Sequence, residues 1–192
     1  MTTGVTTREH LRTISVELFA ERGFAATTMR QLADRAELPL SAFYYYFRSK
    51  YDVLLAIMDA AMGSLEDGVE EAVDPGLPPH ERLVALTARH VTIHLVDPDT
   101  ARVADNELKS LNDDDRAMIV ARRDSYERHF RDTLGAGVSS GKFDRDLDIP
   151  VASMAILTMA TGVVDWWRPH GRHSIDETAA LLGRFALALA TR

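Results

Sequence analysis

Cysteine is absent from the 192 residues, which excludes a disulfide framework, a thiolate nucleophile and any zinc-thiolate site. Long apolar runs are also missing. No stretch of 18 or more apolar residues suggests a membrane span, and the N-terminus lacks the charged-then-apolar layout of a signal peptide, so a soluble cytoplasmic protein without a membrane partner is expected. Period-two alternation is not found, which argues against a sheet. There is no nucleophile elbow, phosphate loop or HExxH, so an enzyme is not expected. Positive charge is scarce too, with 22 Lys and Arg against 29 Asp and Glu and a net of −7. Taken over the whole chain, that balance disfavours a nucleic-acid partner. Aromatics make up only 7% of the chain, yet five stand consecutively in "SAFYYYFRSK", from Phe43 to Phe47.

What is present is helical punctuation. Thr6-x-x-Glu9 reads as a capping box ahead of Leu11, Ile14, Leu18 and Phe19 at helical spacing, and Gly23 stands where a left-handed cap would end the helix. Thr28-x-x-Gln31 opens a second helix of about two turns, Ser41 to Phe47 a third, and Ser49-x-x-Asp52 a fourth that runs to the linker Asp74-Pro75-Gly76-Leu77-Pro78-Pro79. Further helices are predicted at about 80–95, 100–110 and 114–134, the last after the cap-like Asn112-x-x-Asp115. A glycine-rich stretch from Gly135 to Gly141 is read as a separator, followed by a helix from near Pro150 to Arg168. Ser174-x-x-Glu177 opens the last, ending near Ala190. The fold class expected is all-α, of about nine helices.

The charge is unevenly distributed. Residues 1–50 carry a net of +2 and the remainder −9, so a mildly basic head can meet a polyanion while the acidic body stays away from it. Within that head, "TTMRQLADRAELPLSAFYYYFRSK" has the form of two short helices joined by a tight turn, a helix-turn-helix whose second helix can enter a major groove. The stretch resembles the N-terminal domain of TetR-family transcriptional regulators. The resemblance covers about residues 10–55 and rests on Phe19, Gly23, Thr27, Thr28, Ala33, Ala36, Phe43, Tyr44, Tyr46, Phe47, Ser49 and Lys50. Two positions depart from the family pattern. Glu37 occupies the place of a turn glycine, which implies strain if its backbone is left-handed, and Pro39 replaces a capping serine.

On a helix, Phe43 and Phe47 share one face as core anchors, which leaves the three tyrosines to face outward or sideways. The resemblance implies that Tyr44 and Tyr46 donate to phosphates, while Tyr45 with Leu40, Ser41 and Ala42 meets base edges. It places Lys50 on a phosphate at the start of the fourth helix, and Thr27, Thr28 and Arg30 likewise at the start of the second. The competing reading is an aromatic seam between helices with solvated cations. Residues 1–50 are therefore read as a DNA-binding domain, and 51–192 as a helical ligand-binding and dimerisation domain.

One recognition helix covers too few base pairs to specify a site, so a homodimer on a near-palindrome is expected. The segment "VASMAILTMATGVVDWW" is apolar nearly all round and needs neighbours on every side. With the last helix it supplies the dimer candidates Ala155, Gly162, Trp166, Leu182, Phe185 and Leu189; the alternative is a central helix of a monomer. Residues 86–178 resemble, more weakly, the C-terminal domain of a TetR subgroup that regulates fatty-acid and sterol catabolism. Several of its members respond to acyl-CoA thioesters. Asn106-Glu107-Leu108, Arg122-Arg123, Tyr126 and Trp167-Arg168-Pro169 carry that match. The expected effector is hydrophobic, an acyl-CoA by this resemblance, with a different hydrophobic molecule or none as the alternatives. Met58, Met62, Leu108 and Met154 are candidate apolar lining, with His90, His94, Tyr126 and Trp167 beside them. Arg122, Arg123 and Arg168 are candidates for the CoA phosphates or for surface pairing with nearby acids. His90 and His94 have a spacing that suits a metal, but no third ligand accompanies them, so no metal or cofactor is expected.

Overall fold

The computed structural model describes residues 3–72, 74 and 76–191, with side chains from residue 7 onward except 71 and 72. Among the described residues there are ten α-helices, one 3-10 turn and no strand. They are α1 (Thr3–Arg22), α2 (Met29–Arg35), α3 (Leu40–Tyr46), α4 (Lys50–Ala72), α5 (Pro79–Val96) and α6 (Pro98–Asn106). After the 3-10 turn Leu108–Ser110 come α7 (Asp113–Ser139), α8 (Ile149–Thr161), α9 (Val163–Trp166) and α10 (Ile175–Ala190). The helix expected from Pro150 to Arg168 is α8 and α9 together, interrupted at Gly162. This accounts for ten helices against about nine expected.

The chain divides into two compact units. The first comprises Met1–Ala61 and Asp99–Ile119, and the second Met62–Pro98 and Val120–Arg192. In the first, α2 packs on α1 and α3 on α2. Leu11, Leu18, Phe19, Leu32, Phe43, Phe47, Val53 and Leu54 form its core, each contributing about 1.5–3 kcal/mol of transfer free energy. In the second, α10 lies along α5 and both meet α8. Its core includes Leu83, Leu86, Phe130, Leu134, Ile156 and Ala186.

Helix ends follow their local chemistry. Gly23 has φ of 81° and donates to the Phe19 carbonyl, closing α1 with the left-handed residue that only glycine adopts freely. Thr28 and Gln31 make a reciprocal capping box on α2, as do Ser174 and Glu177 on α10. The Thr6–Glu9 box does not start α1, which is already helical at Thr3; the Thr6 side chain lies outside the described residues. The separator expected at Gly135–Gly141 is mostly helix, since α7 runs on to Ser139. A Cβ on Gly137 would stand 2.0 Å from the ring of Phe143, so the glycine lets that buried ring fold back on the helix instead of breaking it.

Candidate nucleic-acid interface

α3 begins at Leu40 directly after Pro39, which caps with φ of −56° and no side-chain bond. Its register places Phe43 and Phe47 in the core, ring centroids 6.0 Å apart. Between them Tyr44 is 46% and Tyr45 83% exposed, while Tyr46 is half-buried and meets Tyr45 edge to face. Ser41 is exposed, and Leu40 and Ala42 are half-buried. A helix of seven residues thus presents two large rings to solvent, at a cost in exposed apolar area that packing within the unit does not offset. The turn before it holds the expected strain. Glu37 has φ of 54°, a left-handed conformation costing a non-glycine residue roughly 1–2 kcal/mol.

α2 is oriented by charge. Arg35 forks onto Glu21 of α1 at 3.0 and 2.7 Å, and this bond holds the exposed Glu21 carboxyl below its usual range. Thr28 and Arg30 are exposed at its start. Thr27 is not available there. Its side chain is 1% exposed and its hydroxyl donates to the Gly23 carbonyl at 2.9 Å, so it shapes the turn and cannot reach a phosphate. Lys50 also departs from the expected role. Its ammonium donates to the carbonyls of Phe24, Ala25 and Thr27 at 2.8, 3.1 and 2.9 Å and sits 4.5 Å from the Phe24 ring centroid. An ammonium has three hydrogens, and all three are committed to this turn.

In the second unit, His90 and His94 stack at 4.1 Å. His90 Nδ1 lies 2.9 Å from the Tyr126 hydroxyl and Nε2 3.0 Å from the Thr161 hydroxyl, so one nitrogen donates and the other accepts in a neutral ring. Burial, and then His94, push His90 well below the usual imidazole range, and burial pushes the Tyr126 phenol far up. His90 is therefore neutral, with both ring nitrogens satisfied within the unit. Arg122 forks onto Glu66 at 2.8 and 2.6 Å, and this bond holds the Glu66 carboxyl below its usual range. Arg168 is exposed and closes its own loop on the carbonyls of Asp165 and Trp167, while the half-buried Trp167 donates to the His173 carbonyl. Arg123 is half-buried, as is Leu108. Met58 and Leu108 belong to the first unit and Met62 to the second. Met154 is 56% exposed on α8 and lines no interior.

Residues 14–57 match the family model "Bacterial regulatory proteins, tetR family", and residues 76–190 match "Tetracyclin repressor-like, C-terminal domain". The HTH-type transcriptional repressor KstR2 of Rhodococcus jostii (strain RHA1) is 31% identical over 175 residues, 90% of this chain and 85% of the relative. This chain belongs to the TetR family of transcriptional regulators. Another relative, the fatty acid metabolism regulator protein of Bacillus subtilis (strain 168), is 26% identical over 153 residues, 80% of this chain and 79% of its own. The crystal structure of a tetR-family regulatory protein from Rhodococcus RHA1 superposes with a TM-score of 0.90 at 28% identity, covering 99% of this chain and 98% of that one. The family is one of regulators rather than enzymes.

This TetR-family chain exposes large apolar side chains on its last helices, as well as Val96, Met118 and Val120 on α5 and α7. Val151, Met154, Trp166, Phe185 and Leu189 are exposed, as is Ala155, while Gly162 is half-buried. Leu182, expected among them, is 5% exposed and faces the interior of its own unit. The stretch Ile149–Trp166 is apolar and long enough by composition to cross a membrane, with mean hydropathy 1.4; 33% of it is buried, and the helix is interrupted at Gly162. Sequence reasoning missed Tyr51, whose hydroxyl donates to Asp115 at 2.6 Å and accepts from the Asn112 N–H at 3.1 Å. Nothing in the sequence marks a pairing across 64 residues.

Proposed function

We propose that this TetR-family protein is a cytoplasmic repressor that binds a near-palindromic operator as a homodimer and is released by a hydrophobic effector, an acyl-CoA thioester. Residues 1–50 read the DNA, and 51–192 bind the effector and dimerise. The observation that carries the DNA reading is Tyr45, 83% exposed in the last turn of α3 between the buried anchors Phe43 and Phe47. Tyr44 and Tyr46 with Thr28 and Arg30 contact phosphates, and Tyr45 with Leu40, Ser41 and Ala42 meets the bases. The second copy covers the apolar face of α8 and α10, and the dimer holds its two recognition helices on the order of 34–36 Å apart, one turn of DNA. The effector binds the conformation in which that spacing is wrong, so DNA affinity falls as the population shifts.

The effector class is supported by the resemblance of residues 86–178 and by the fatty-acid regulator among the relatives. The ion pairing of Arg122 with Glu66 favours a second reading, a hydrophobic effector without a CoA moiety. Titrating palmitoyl-CoA, free CoA and palmitate into the complex with DNA from upstream of the protein's own gene separates them. The proposal expects palmitoyl-CoA alone to release the DNA and to raise Tm through binding to the folded state. Release by palmitate as well supports the second reading. Failure of acyl-CoAs of every chain length to change either quantity contradicts the acyl-CoA assignment.

A further inference from the structure

Phe24 is the first residue beyond the cap of α1, and its backbone is held from both sides by charge. Its carbonyl accepts from the Lys50 ammonium at 2.8 Å. Its N–H, which has no helical carbonyl to meet because α1 has ended, donates to the Glu107 carboxylate at 3.2 Å. Glu107 is itself fixed. Its other carboxylate oxygen accepts from the Ser110 hydroxyl at 2.6 Å, and its carbonyl accepts from the Ser110 N–H at 2.8 Å. Two residues further on, Asn112 and Asp115 at the start of α7 are tied to Tyr51, the neighbour of Lys50. The segment 107–115 therefore holds both the α1–α2 turn and the first turn of α4.

We infer that Glu107 is a positioning residue for DNA binding, a latch that fixes the α1–α2 turn and through it the DNA-facing helices. The turn it holds ends at Thr28, the cap of α2, and α2 packs on α3. Charge-assisted bonds of this kind lose strength steeply with misalignment, so a small displacement of segment 107–110 frees the Phe24 N–H and loosens the turn. α7 starts in this segment and continues to Ser139 in the second unit, giving the latch a covalent route to the body. The regulatory part of this inference rests on the function proposed above; the latch itself rests on the contacts alone.

The test compares the full-length protein with Glu107→Gln, which keeps an acceptor for the Phe24 N–H, and Glu107→Leu, which does not. Amide hydrogen exchange is read together with fluorescence anisotropy on DNA from upstream of the protein's own gene. In Glu107→Leu, exchange at Phe24 and Thr27 rises about tenfold while α10 amides are unchanged, and DNA affinity falls about tenfold with the salt slope preserved. Glu107→Gln stays within about threefold of wild type in both measurements. Three results overturn the latch: unchanged exchange at Phe24 in Glu107→Leu, equal impairment of the two variants, or exchange accelerated uniformly including α10. If the wild-type protein binds no DNA, the proposed function falls and the exchange measurements still decide the latch.

Discussion

Replacing Phe185 with aspartate leaves the subunit folded but monomeric, and affinity for the operator falls by roughly two orders of magnitude. The side chain is 55% exposed on α10, so the substitution removes little packing from its own unit. In the proposed dimer the partner covers this position together with the exposed Val151, Met154, Trp166 and Leu189, and an unpaired carboxylate buried there costs several kcal/mol. A patch of this kind on a monomer would be an aggregation liability, and a self-complementary two-fold contact removes it. DNA binding suffers because the second recognition helix no longer benefits from the effective concentration that the first one sets. Sedimentation checks the mass, and anisotropy the affinity. A variant that stays dimeric, or a monomer that binds as tightly as wild type, rules out this face as the functional interface.

Lys50→Met destabilises the protein by about 2–3 kcal/mol, taking three charge-assisted bonds at a half-exposed site as partly replaceable by water. Lys50→Arg does not rescue it. A guanidinium presents its donors in a planar fork, whereas the carbonyls of Phe24, Ala25 and Thr27 converge on a single nitrogen. DNA affinity drops for every sequence, because the turn that leads into α2 loosens, but the slope of log affinity against log salt is unchanged. A direct phosphate contact would instead remove about one counterion from that slope. Denaturant unfolding together with a salt series distinguishes the two roles, and a flattened slope at full stability would return Lys50 to the phosphate.

These two predictions differ in how far the sequence anticipated them. The register of Phe43 to Phe47 was legible because local periodicity alone separates anchors at i and i+4 from the rings between them. The boxes at Thr28 and Ser174 and the cap at Gly23 were legible for the same reason, since each is satisfied within four residues. Contacts across long stretches of sequence were not. Lys50 matched a motif position whose implied partner is a phosphate, and only the fold shows three carbonyls, 23–26 residues away, around its ammonium. Gly135 and Gly137 read as a break because propensity disfavours glycine in a helix, and the ring of Phe143 overrides it. On α10, Leu182 and Phe185 are both large, apolar and three residues apart, so they looked alike although one is buried and the other exposed. Among the body candidates, residue type alone does not separate Met154 on the surface from His90 in the interior.

The central claim is that α3 reads DNA through the outward tyrosines, and the ratio of affinities for the protein's own upstream DNA and a scrambled duplex at one salt concentration tests it most directly. For wild type this ratio should be at least about a thousandfold. Tyr45→Ala should lower it by roughly tenfold or more while changing affinity for the scrambled duplex much less. A wild-type ratio near one, or a Tyr45→Ala ratio equal to that of wild type, contradicts the account.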